Sequence, residues 1–201
     1  MYSDECTFDT SARGSAWVTR LPGERFHEDC IQYTFNSGRG SVHVWGAISY
    51  NWKSELVFLD GTGGKGICAK DYMEQVLEPI VAPAFMGLLD YDASTGGLYV
   101  EDRAPWHGTK KALVEVKKIL DIPLHSRPAQ SPDLNPIENV WRIMKQRIKA
   151  RSQFPNTVKL MAKAIQEEWD RLESKDWNGF IDSMPTRLQE VKKRHGLITQ
   201  Y

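Results

Sequence analysis

The chain has 201 residues, enough for one sizeable hydrophobic core and at most one domain with an appendage. With 41% apolar and 26% charged residues its composition is that of a soluble globular protein, which excludes wholesale disorder, and no apolar run approaches the ~20 residues of a membrane-spanning helix. The formal net charge is zero, but residues 1–100 carry 7 Lys/Arg against 13 Asp/Glu, and residues 101–201 carry 19 against 13. A basic second half keeps a polyanionic partner in play despite the overall balance. The start, Met-Tyr-Ser-Asp-Glu, has neither a basic segment nor an apolar stretch, so no secretory signal is expected. Cys6, Cys30 and Cys68 are odd in number and widely spaced, which fits neither a disulfide framework nor a zinc site and predicts a reducing compartment.

In chain order, Met-Tyr-Ser-Asp-Glu-Cys-Thr-Phe at the start reads as a strand, cut short at its beginning. Residues 10–39 are rich in Gly, Ser and Arg, contain a Leu-Pro-Gly-Glu turn at 21–24, and predict a hairpin-bearing excursion. Ser-Val-His-Val-Trp-Gly-Ala-Ile-Ser (41–49) and Glu-Leu-Val-Phe-Leu-Asp (55–60) predict two strands joined by a hairpin turn over Tyr50–Ser54. A helix is expected from about Ala69, with Tyr72, Val76, Leu77 and Ile80 on one face. A loop over 90–96 leads to a strand ending at Asp102. A helix at about 110–120 turns Leu113, Val116 and Leu120 inward, and Ile-Pro-Leu-His (122–125) is a short strand.

From 136 the pattern is helical. Ile137, Val140, Trp141, Met144 and Ile148 form an apolar stripe, with Arg142, Lys145 and Lys149 on another face. Two further helices follow, near 157–173 and 176–194, the latter interrupted by Pro185. The succession predicts an α/β fold whose mixed sheet begins as an antiparallel meander, continues with parallel strands and is flanked by helices.

Three carboxylates stand where such a fold collects ligands. Asp102 closes a strand, Glu138 opens a helix and Asp4 lies in the first strand; open α/β sheets gather ligands at strand carboxyl ends. Asn135-Pro136-Ile137-Glu138 also reads as a capping box, in which Glu138 returns a hydrogen bond to the Asn135 backbone. Asp4 and Glu5 point to opposite faces of their strand, as do Glu101 and Asp102, and alternation alone does not choose between them. Grouped acids suit Mg2+, which takes hard oxygen ligands and keeps several waters, and two such ions serve in-line displacement at phosphorus. Arg142, Lys145, Arg147, Lys149 and Arg151 follow with no acid among residues 142–151, which fits either a solvated helix face or a set of phosphate contacts.

These residues resemble the catalytic domain of the DDE transposases of the mariner type, a branch of the ribonuclease-H-like superfamily. Ser-Asp-Glu-Cys-Thr-Phe resembles that family's first-aspartate motif, Val-Trp-Gly-Ala-Ile-Ser its second strand, and Glu-Asp-Arg-Ala-Pro-Trp-His its second-aspartate motif. Arg-Pro-Ala-Gln-Ser-Pro-Asp-Leu-Asn-Pro-Ile-Glu-Asn-Val-Trp is the most specific segment, and the tail Ser-Met-Pro-Thr-Arg-Leu-Gln-Glu-Val is similar too, so the C-terminus is expected to be complete.

The resemblance implies a ribonuclease-H-like fold over one domain, 1–201, with a core at 1–151 carrying the insertion at about 10–39 and a helical extension at 152–201. It implies Asp4, Asp102 and Glu138 as the catalytic, metal-binding triad, holding Mg2+ or Mn2+, two ions in all. It implies DNA as partner, both transposon ends and target, together with homo-oligomer formation and no membrane. The implied activity is DNA strand cleavage followed by attack of the freed 3′-OH on target DNA. His107 matches a histidine of the second motif, and either orients DNA or a metal-bound water or serves as a hydrogen-bonded supporting histidine. Asn135 is a further supporting candidate, and Asp133 is expected to shape its loop.

Arg103 stands where the family commonly has Asn, and contact with phosphate and competition with metal are both open. Family members carry helix-turn-helix domains ahead of the first aspartate, whereas Met1 precedes Asp4 by three positions. An alternative is therefore a truncated or domesticated remnant that binds DNA or protein without chemistry, and a third reading is an unrelated metal-dependent nuclease on the same fold. For a eukaryotic member the family implies the nucleus, and otherwise an intracellular location.

Overall fold

The computed structural model describes residues 1–10, 21–24, 27, 40–61, 66–91, 97–102, 104, 107, 114, 117–118, 122, 131–197, 199 and 201. The first strand, β1 (Tyr2–Asp9), pairs antiparallel with β2 (Ser41–Ser49), in register from Tyr2↔Ile48 to Asp9↔Ser41. Thr10 and Gly40 close the base of the intervening excursion through N–H and hydroxyl bonds of 3.0 Å. The Leu21–Glu24 turn forms as expected, with Gly23 at φ +99°, where a side chain would be strained. The rest of 11–39, Cys30 included, lies outside the described residues apart from His27.

The hairpin after β2 is tighter than predicted. Asn51 takes a left-handed φ of 57°, and Trp52 already pairs with Ser49 in β3 (Trp52–Lys53). The strand expected at 55–60 contracts to β4 (Val57–Phe58), which pairs with Val44 and Trp45. Ser54 is the physical reason. Its N–H donates to the Ala47 carbonyl, while its hydroxyl accepts from the Ala47 N–H, so a side chain fills the ladder position between β3 and β4.

On the opposite edge β1 meets Tyr99–Val100 in a parallel bridge, with Ser3 N–H donating to Val100 O and Val100 N–H to Met1 O, both at 2.9 Å. The sheet is therefore mixed, and Asp102 emerges two residues beyond its parallel contact. Of the helix expected at 110–120, Val114, Lys117 and Lys118 are described and helical, while Leu113, Val116 and Leu120 lie outside the described residues. So does 123–125 of the expected short strand; Ile122 is buried but in no strand.

One sheet face is covered by a helical run of α1 (Ala69–Tyr72), a π-helical segment (Met73–Val81) and α2 (Ala82–Tyr91). Asp71 accepts from the Cys68 N–H at the start of this run. Tyr72, Val76 and Leu77 pack from it onto Trp45, Ala47 and Tyr99. The other face receives α3 (Pro136–Lys149) and α4 (Val158–Arg171). The predicted stripe of α3, Ile137, Val140, Trp141, Met144 and Ile148, is wholly buried against Cys6, Phe8, Val44 and Ile48. Each such side chain contributes about 1.5–3 kcal/mol by leaving water.

Gly46 makes this packing feasible. A Cβ there would stand 2.8 Å from Trp169 and 2.9 Å from Trp141, whose rings stack at 5.3 Å over the strand. The chain ends with α5 (Asn178–Asp182) and α6 (Met184–Lys193), where Pro185 sits in the first turn of α6 and so begins a helix after the break at Ser183.

Candidate active site

Strand alternation sorts the paired acids. Asp4 lies on the face covered by α3, opposite Gly46, while Glu5 lies on the face of Tyr72. Likewise Glu101 turns toward Tyr72 and Lys117. Asp4 is buried, and its carboxyl is pushed up to about 8 by that burial, then by the Glu138 charge and a hydrogen bond with the Glu138 side chain, and further by Glu5 and Asp102. The structure thus brings Asp4, Asp102 and Glu138 to one place, with Asp4 at the centre.

Glu138 does not close the capping box expected at the start of α3. The Asn135 N–H is already donated to Pro132 O at 2.9 Å, because Pro132–Leu134 forms a 3-10 turn. The Asn135 side chain does not cap the helix either. It crosses to β1, where Nδ2 donates to Ser3 O at 3.1 Å and to Asp4 Oδ2 at 3.4 Å. Relieved of capping, Glu138 occupies the first turn of α3 with its carboxylate beside Asp4.

Asp102 is oriented by its own loop. Its Oδ1 accepts from the Ala104 N–H at 2.8 Å and from His107 Nδ1 at 2.7 Å. His107 Nε2 reaches Glu5 Oε1, also at 2.7 Å. Burial pulls the imidazole down, but the hydrogen bonds to Asp102 and Glu5 prevail and push it up to about 10. Behind it Lys117, buried, bonds Glu101 and donates to His107 O at 2.6 Å, while Tyr72 bonds both Tyr99 and Glu101. Sequence reasoning set Glu5 aside and missed Lys117. Nothing in spacing links residues 102 and 10 positions from His107; only packing does. Arg103 lies outside the described residues.

Among the described residues Glu5, Asp102 and His107 place ligand atoms within 4.8 Å of one another. In that cluster both ring nitrogens of His107 are already engaged by the two carboxylates, each at 2.7 Å. The Asp4–Glu138 side is different. It offers hard oxygens, carries mutual repulsion, and makes no ion pair among the described residues, which is the donor set that Mg2+ or Mn2+ takes.

The basic run divides. Arg147 pairs with Asp176 at 3.0 Å, and Arg151 holds Glu167 at 2.8 Å and Glu168 at 2.5 Å, so both tie α3 to the C-terminal elements. Arg142, Lys145 and Lys149 are exposed, make no ion pair among the described residues, and line with Glu138, Trp141 and Gln146 a shallow groove of about 280 Å³. Lys145 also lies 5.5 Å from the Phe8 ring and bonds the Cys6 thiol, which burial nonetheless pushes up to about 11. Among the described residues, no helix is long and apolar enough to cross a membrane.

This chain is similar to known proteins. The Tcb2 transposase of Caenorhabditis briggsae is 29% identical over 205 residues, covering 100% of this chain and 70% of the relative. The Tc1 transposase of Caenorhabditis elegans is 26% identical over 202 residues, again covering 100% of this chain and 70% of the relative. Among solved structures, the mariner Mos1 paired end complex with Mg superposes with a TM-score of 0.70 at 17% identity, over 98% of this chain and 56% of that one. The Mos1 transposase catalytic domain with Raltegravir and Mn gives 0.63 at 18%, over 84% and 82%. This chain thus spans about half of the full Mos1 chain, and its fold is the ribonuclease-H-like fold of that catalytic domain. Residues 1–161 match the model of the DDE superfamily endonucleases, and the chain belongs to that family.

Proposed function

We propose that this chain is the metal-dependent catalytic domain of a DNA transposase, cutting DNA strands and joining the freed 3′-OH to a target. The observation that carries this reading is Asp4: a buried carboxyl pushed up to about 8 because burial is compounded by Glu138, Glu5 and Asp102 crowding it. Acids gathered at such cost do not serve packing, since an apolar residue would suit a core better. Asp4, Asp102 and Glu138 would hold Mg2+ or Mn2+, two ions in all. Bound there, the metals supply Lewis-acid activation of the attacking oxygen and stabilisation of the leaving oxygen at phosphorus.

The chain's own residues prepare that chemistry. Asn135 aims Asp4, α3 aims Glu138, and the Ala104 N–H with His107 fixes the Asp102 carboxylate. His107 acts here as a support that joins Asp102 to Glu5. Arg142, Lys145 and Lys149 offer a basic track leading from Glu138 along α3, suited to a DNA backbone. The whole of 1–201 acts as one domain, with 152–201 as its helical extension. By analogy with the Mos1 transpososome and paired end complexes, transposon ends and target DNA are its substrates and a homo-oligomer its working form. In a eukaryotic host, action on chromosomal DNA would call for a nuclear location.

The test is cleavage of plasmid and transposon-end DNA with Mg2+ or Mn2+, and joining of 3′-OH ends to a target. Cleavage should require metal and fall to background in Asp102→Asn and Glu138→Gln. A folded wild-type chain that cuts with neither metal would sink the proposal.

A further inference from the structure

The segment that carries Glu138 is held from outside the carboxylate cluster. Arg187, on α6, is 1% exposed. Its Nε donates to Ser183 Oγ at 2.8 Å, its Nη1 to the Asp133 carbonyl at 2.7 Å, and its Nη2 to Asn139 Oδ1 at 2.9 Å. Asp133 lies in the 3-10 turn ahead of α3, and Asn139 directly follows Glu138. One planar guanidinium therefore spans both sides of the short stretch on which Glu138 rides, a role its rigid fork suits and a lysine ammonium does not.

The end of the chain closes the arrangement. The Thr199 N–H donates to Asp133 Oδ2 at 2.8 Å, and the Tyr201 ring covers the guanidinium at 4.8 Å. Asp133 and Thr199 are both buried. The Asp133 carboxylate, expected to shape its own turn, instead receives the backbone of a residue 66 positions away. Tyr201 also borders, with Asp133, Glu138 and Arg142, a recess of about 170 Å³ beside the catalytic helix.

We infer that Arg187, Asp133, Thr199 and Tyr201 form a clamp that positions Glu138 for metal binding, so that the last residues tune a site to which they contribute no ligand. This rests on the metal-site reading above. Arg187 and Asp133 are positioning residues, acting through the 133–139 backbone. Groups that orient metal ligands from behind typically change metal affinity about 10–100-fold when removed.

The test compares the full chain with Thr199→Pro, which removes the donating N–H, with Tyr201→Ala, and with Arg187→Lys. Two readouts are taken on each: Mn2+ affinity by calorimetry, and hydrogen exchange of the 133–139 amides without metal. Thr199→Pro and Tyr201→Ala alter only the chain end and avoid the unfolding that Arg187→Ala risks. The clamp predicts faster exchange over 133–139 with unchanged exchange in β1 and β2, and Mn2+ binding about 10-fold weaker. Asp133→Asn, which keeps an acceptor oxygen, should retain most of the affinity that Asp133→Ala loses. Unchanged exchange over 133–139 and unchanged Mn2+ affinity in Thr199→Pro would overturn the clamp. If the wild type bound no Mn2+ while exchange still accelerated, the metal reading would fall, and with it the clamp's role in metal binding, leaving a purely structural contact.

Discussion

Asp4 and His107 make the site sensitive to pH in a direction that can be worked out. The Asp4 carboxyl stands at about 8 in the folded chain against an ordinary 3.8, so over that interval the folded protein holds a proton that the unfolded chain releases, and stability falls as pH rises. His107 stands at about 10 against 6.5, so its stabilisation is complete below 6.5 and is lost as pH climbs toward 10. Both slopes run the same way, and the windows overlap between 6.5 and about 8. The melting temperature of the metal-free protein should fall across that interval, less steeply in Asp4→Asn. At about pH 8 Asp4→Asn should melt higher than wild type while losing metal-dependent cleavage. At the proposed metal site Mn2+ would have to displace the Asp4 proton, so its affinity should rise with pH up to about 8. Parallel melting curves for wild type and Asp4→Asn, from about pH 5 to about pH 9, would show that Asp4 is not the strained group. Alternation in the sequence separates Asp4 from Glu5, but the strain comes first from burial and then from Glu138, 134 positions away, both of which only packing supplies.

The helix α3 works on three sides at once. Its stripe from Ile137 to Ile148 anchors it to β1 and β2, its first turn carries Glu138, and its exposed cations face outward. The 3.6-residue period makes the stripe and the basic face legible directly from the sequence. What the period does not show is which cations are already engaged. Arg147 and Arg151 answer acids at 176, 167 and 168, whereas Arg142, Lys145 and Lys149 do not. Replacing Arg142 and Lys149 by Gln should weaken DNA binding and flatten its salt dependence, by about 0.9 in slope for each phosphate no longer neutralised. Arg151→Gln should instead lower thermal stability and leave that slope nearly unchanged. An unaltered slope in the double variant would return this face to ordinary solvated charge. Ser54 teaches the converse lesson: a serine expected in the hairpin turn separates β3 from β4 because its hydroxyl takes a ladder position.

At the scale of the molecule, the C-terminal helices share the core of the sheet. Trp169 of α4 stacks on Trp141 over Gly46 and donates from its indole to Ser54 O, while Lys53 bonds the carbonyls that end α4 at Trp169 and Leu172. Trp169→Ala should cost about 3–5 kcal/mol, the usual toll of deleting a buried large aromatic ring. A chain ending at 151 should fail to fold cooperatively. Urea melts of both check this, and near-native stability in the shortened chain would show that the core closes without α4. Arg187 extends the same dependence to the site, since α6 reaches back to the residues on either side of Glu138.

By itself the sequence determined the α/β class, the meander, the buried stripe of α3 and the family, because each of these is written in local periodicity or in a contiguous motif. The tertiary structure alone decided that Glu138 faces Asp4 rather than capping its helix, that His107 bridges Asp102 and Glu5, and that Arg187 grips the Glu138 segment. Those outcomes depend on which hydrogen-bonding groups are already satisfied when distant segments meet, and no spacing along the chain encodes that.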